Sequence, residues 1–176
     1  MDKLLLLICF FPIVFMLHDF EEIIMFEPWL KKNREEIGIR FPRLGKMMIK
    51  NHDKLSTSGF AVAVLHEFII ISLVTYISVY LNSFNWWFGA FVVFSLHLLI
   101  HIAQSIILGR YVPCIITSIL ALPYCIYTFT AFLKVTEMST FQMLLWTGIG
   151  IGLTGLSFVP AFYLATRFEN WKNKKF

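Results

Sequence analysis

Charge is scarce in this chain. Only 15% of its 176 residues are Asp, Glu, Lys or Arg, against 58% hydrophobic and 17% aromatic. A soluble domain carries about 25% charged residues, so an ordinary soluble globule is excluded. Cysteine is scarcer still. Cys9, Cys114 and Cys125 stand apart in apolar runs, without CxxC spacing. That argues against a disulfide framework or a thiolate metal site and leaves them as small buried hydrophobes. Long polar stretches are also missing, save one between Glu27 and Ser58 and a short tail after Thr166. The net charge is +4, and the positive residues are confined to a few segments. It is a topological pattern, and no nucleic-acid partner is expected.

What remains is apolar sequence in long blocks. Five blocks have the length of membrane spans, at about 4–26, 59–81, 85–109, 111–133 and 140–166. The expected fold is all-α, a polytopic integral membrane helical bundle forming one domain over 1–176. Met1-Asp2-Lys3 before Leu4 resembles the start of a signal peptide. No small-x-small cleavage site comes after it, so the first helix is expected to be retained. With five spans, the 27–58 linker, Arg110 and the tail fall on one side, and they hold all Lys and Arg except Lys3 and Lys134. The positive-inside rule then places the N-terminus outside and the C-terminus in the cytoplasm.

The aromatic and glycine residues refine this picture. Trp86 and Trp87 would mark the outer interface, and Trp29 and Trp171 the inner one. Pro28 opens a mixed basic and apolar stretch, Trp29 to Ile37, closed by Gly38. It reads as a short helix lying on the inner surface, held partly by anionic lipid. Gly150-Ile151-Gly152-Leu153-Thr154-Gly155 formally matches GxGxxG, but no strand precedes it, so it is no nucleotide fingerprint. Gly148, Gly152 and Gly155 share one helix face and suit close helix packing.

Against this apolar background the polar residues stand out. His18, Glu21 and Glu22 lie at i, i+3 and i+4 and share one helix face. His66 and Glu67 fall in the second span. His97 and His101 are i, i+4 neighbours in the third, with Gln104 continuing the face. Arg110 and Tyr111 sit at the inner boundary, whereas His52 in the linker is expected to be solvated. The alternating direction of the spans brings these groups to one level, in the cytoplasmic half of the membrane. Asp19, Glu21, Glu22 and Glu67 would together cost on the order of 10 kcal/mol if charged and uncompensated in lipid. One arginine does not neutralise four carboxylates. Protonation, water or a metal cation must answer them.

Histidines with carboxylates suit a divalent metal ion, with zinc favoured and iron or manganese as alternatives. His18, Glu22, His66, Glu67, His97 and His101 are the candidate ligands, and Asp19, pointing away from the His18 face, is left out. Glu21 is the candidate general base, and Arg110 and Tyr111 the groups for an anionic head group or oxyanion. The expected function is a metal-dependent membrane hydrolase, acting on a lipid or lipid-linked substrate at the cytoplasmic leaflet. A di-metal oxidase is a variant. The alternatives are a proton- or cation-coupled transporter and a non-enzymatic membrane partner or immunity protein.

His18-Asp19-Phe20-Glu21-Glu22 resembles the signature of the HXXEE family, small membrane proteins known mainly as a family of unknown function. That family pairs the motif with a further histidine and a Tyr-x-Pro-Gly motif. His97 or His101 supplies the histidine here. Tyr111-Val112-Pro113-Cys114 matches up to its last position, where Cys stands for Gly. The resemblance runs from about His18 to Cys114 and implies no substrate or reaction.

Overall fold

The structure is a computed structural model that describes residues 3–43, 45, 49–50 and 55–175. His52 and its expected solvation lie outside the described residues. Five long helices build the molecule: α1 Lys3–Arg40, α2 Thr57–Tyr80, α3 Asn85–Leu108, α4 Ile115–Leu133 and α5 Thr140–Lys175. No strand occurs among the described residues. Each helix is long and apolar enough to cross a membrane, because apolar runs of this length satisfy their backbone hydrogen bonds internally. The chain is an all-α polytopic membrane bundle. α1 packs on α2 and α4, and α3 on α4 and α5, while α2 also lies against α5.

Two helices outrun their apolar blocks. α1 continues unbroken through Pro28 and Gly38 to Arg40. The separate surface helix expected after Pro28 is therefore corrected: that stretch is the end of α1. Pro28 only removes one donor from the helix ladder, and tertiary contacts hold the turns beyond it. Trp29 Nε1 donates to the Tyr111 carbonyl at 2.8 Å. Arg110 pairs with Glu36 at 2.6 Å, and Arg40 donates to the Ile107 carbonyl at 2.7 Å. α5 likewise runs on to Lys175. Glu169 accepts hydrogen bonds from the Ser56 backbone and hydroxyl at the start of α2, and Lys172 donates to the Ser56 hydroxyl at 2.7 Å. These contacts gather the ends of α1, α3 and α5 with the starts of α2 and α4. They form one basic end of the bundle.

The opposite half is packed with rings. Phe11 and Phe15 of α1 meet Trp87, Phe88, Phe91 and Phe94 of α3 and Phe132 of α4 in one core cluster. Trp87 corrects the expectation of an interface belt. It is fully buried, stacked on Phe91 with centroids 4.8 Å apart and edge-on to Phe11 at 6.2 Å. Trp86 is half exposed and packs on Trp146 at 4.7 Å. The glycine expectation is corrected as well. A Cβ on Gly148, Gly152 or Gly155 would meet open space. The close approach belongs to Gly150 and Gly89, where a Cβ on Gly150 would come within 2.6 Å of the Gly89 carbonyl oxygen. That contact is between backbones, and only glycine on both helices allows it.

Candidate metal centre

α1 and α3 meet at the level of His18. Its imidazole is fully buried. Its ring centroid lies 5.3 Å from that of His97 and 5.3 Å from that of His101. His97 and His101 face one another one helical turn apart, with their Nε2 atoms at 3.0 Å. Three imidazoles from two helices thus form one cluster, as the i, i+4 spacing of the α3 pair requires.

The cluster offers two overlapping sets of donors. Glu22, His97 and His101 each present a ligand atom within 4.8 Å of the other two. His18, His101 and Cys114 do the same. His101 belongs to both. Nitrogen and carboxylate donors at this spacing match what zinc, iron or manganese take.

Orientation comes from the turn into α4. Tyr111 donates its hydroxyl to one Glu21 oxygen at 2.8 Å. The other Glu21 oxygen accepts the Thr117 backbone N–H at 2.8 Å and the Thr117 hydroxyl at 2.6 Å. The Thr117 oxygen also lies 3.2 Å from His18 Nδ1. A hydroxyl has one proton, and the carboxylate takes it. Thr117 must then accept from His18, so Nδ1 carries the ring proton. Nε2 is left with its lone pair, and it has no hydrogen-bond partner. A buried imidazole with one nitrogen held by a carboxylate relay and the other bare is the form a metal-binding histidine takes. The donor set and the bare nitrogen both fit a divalent ion.

The remaining candidates fall into place around this centre. Glu21 holds the relay and has both oxygens occupied. Tyr111 bonds to Glu21, and Arg110 is paired with Glu36. His66 and Glu67 enter neither donor set. They contact each other at 3.3 Å, and Glu67 accepts from Ser157 of α5 at 2.9 Å. Asp19, set aside on helical phase, is buried and enters neither donor set. Thr117 carried no signal in the sequence beyond its position one turn after Cys114. A shallow cleft of about 390 Å³ opens beside the relay, lined by Glu21, Met25, Tyr111, Ile116 and Thr117.

Fold and site together define a small polytopic membrane protein with a buried histidine and carboxylate centre near its basic end. The family model described as "Protein of unknown function with HXXEE motif" matches residues 9–128, and the chain belongs to that family. The match takes in α1 from Cys9, all of α2 and α3, and α4 as far as Thr128. No curated protein and no solved structure matches the chain.

Proposed function

We propose that this protein is an integral-membrane, metal-dependent hydrolase acting on a lipid or lipid-linked substrate. The observation that carries the reading is His18: fully buried, its Nδ1 held by Thr117, which Glu21 orients, its Nε2 bare, and its ring beside those of His97 and His101. His18, His97 and His101 would hold the ion, with the Glu22 carboxylate beside them. A divalent ion supplies acidity to a water and polarises a carbonyl or phosphoryl oxygen.

The chain's own groups then divide the work. Glu22 is the carboxylate beside His97 and His101, so it is the group to take a proton from water. Glu21 is a positioning residue, because its oxygens already accept three hydrogen bonds. The cleft at Met25, Tyr111 and Ile116 offers an acyl chain a lateral approach to the relay. Arg110, next to Tyr111 in the chain, would hold an anionic head group. The basic end takes the cytoplasmic side by the positive-inside rule, with the N-terminus outside and the C-terminus inside. The substrate would then come from the cytoplasmic leaflet.

Purified full-length protein should carry about one equivalent of zinc, iron or manganese per chain. His18→Ala and His101→Ala should each lower that content. Cells carrying Glu22→Gln should show the same altered lipid profile as cells lacking the protein. Full metal content in both histidine variants, or none in gently prepared wild-type protein, would overturn the reading.

A second reading draws on a different observation. Glu67 of α2 contacts His66 at 3.3 Å and accepts from Ser157 of α5 at 2.9 Å, and Asp19 of α1 is buried. Polar groups within α1, α2 and α5 suit a proton relay. In proteoliposomes, Glu67→Gln would then abolish proton flux. A hydrolase would keep its metal and its lipid phenotype in that variant.

A further inference from the structure

Cys114 does not behave as a spacer. It sits in the turn before α4 with φ 72° and ψ −1°. The left-handed region costs an L-residue about 1–2 kcal/mol and costs glycine nothing. The side chain kept there is fully buried. Its Sγ makes one long contact, 3.8 Å to the His18 carbonyl oxygen. It also falls within 4.8 Å of the donor atoms of His18 and His101. Independently, Thr117 and Glu21 fix the His18 ring so that the bare nitrogen is Nε2. One ligand atom each of His18, His101 and Cys114 therefore converge, and the unpartnered Nε2 belongs to the same fully buried His18 ring.

We propose that Cys114 is a thiolate ligand of the metal centre, completing a mixed nitrogen and sulfur set with His18 and His101. On binding, the S–H bond breaks and a sulfur–metal bond forms. The proton leaves to water, and no electron is transferred. A thiolate is a soft donor, so it biases the centre toward zinc and away from manganese. His97 remains a further nitrogen donor beside His101, and Glu22 is left to deprotonate water. The proposal rests on the metal-centre reading above.

The test uses the full chain in detergent, loaded with cobalt(II) in place of zinc. Wild-type protein should show cobalt d–d bands in the visible and a thiolate-to-cobalt charge-transfer band in the near ultraviolet. Cys114→Gly and Cys114→Ser should both lose the charge-transfer band and bind zinc about tenfold or more weakly. Their preference for zinc over manganese should narrow in the same step. Cys114→Gly relieves the left-handed backbone, so its metal-free form should melt no lower than wild type, which separates lost ligation from lost folding. Visible d–d bands without the charge-transfer band in wild type would overturn the sulfur ligand and leave the metal centre standing. A wild-type chain that takes up no cobalt and no zinc would overturn both.

Discussion

The two halves of the bundle are built on opposite rules. Near the 81–84 and 134–139 connections, α1, α3 and α4 interlock rings: Phe11, Trp87, Phe91 and Phe132 touch in stacked, tilted and edge-on pairs. Near the basic end, α1 and the turn into α4 interlock hydrogen bonds, from Tyr111 and Thr117 through Glu21 to His18. Rings tolerate small shifts, since dispersion is summed over many weak contacts. The hydrogen-bond relay does not, because each donor has one acceptor and a buried unpaired group costs about 1–3 kcal/mol. The ring half thus sets how firmly the helices stand together. The polar half sets which atom of His18 faces the centre.

That division can be broken from either side. The largest effect is expected from Trp87→Ala, which empties the middle of the ring cluster. Truncating a buried Trp costs about 3–5 kcal/mol, read as a lowered unfolding midpoint in detergent. Metal content per folded molecule should stay at the wild-type level, and a loss of metal in the folded fraction would join the two halves. Next comes Gly150→Ala, whose Cβ would meet the Gly89 carbonyl oxygen at 2.6 Å. Forcing α3 and α5 apart should cost about 1–3 kcal/mol. Gly152→Ala, facing open space, should stay within about 0.5 kcal/mol of wild type. Equal effects of the two would place the helix contact elsewhere.

Thr117→Val sharpens the comparison with the smallest change in stability. It removes the hydroxyl between Glu21 and His18 at nearly constant shape. Metal affinity should fall about 10–100-fold, as for other groups that orient a ligand, while the unfolding midpoint moves little. Thr117→Ser should restore the affinity. Failure of Ser to rescue would mean that the methyl group, and so packing, is what matters at this position.

Much of this was legible in the chain itself. Span number and approximate boundaries follow from local apolar length, which needs no knowledge of neighbours. His18, Glu22, His97 and His101 were legible for a related reason. Polar groups at helical spacing inside apolar runs are costly wherever the helices end up, and the alternating direction of the spans brings them to one level. Helical phase also set Asp19 aside, and neither donor set includes it.

Tertiary structure decided the rest, because those questions concern which surfaces meet. A tryptophan pair at a span end reads as an interface belt, and only the packing of α1 and α4 on α3 buries Trp87. Four glycines in α5 are alike in sequence, and only the crossing with Gly89 distinguishes Gly150. The stretch after Pro28 looks like a separate surface helix until Tyr111, Ile107 and Arg110 hold it in line with α1. Thr117 and Cys114 are separated from His18 by 99 and 96 residues along the chain. No local pattern couples such positions. Their joint effect on a single imidazole exists only where the turn into α4 is folded against α1.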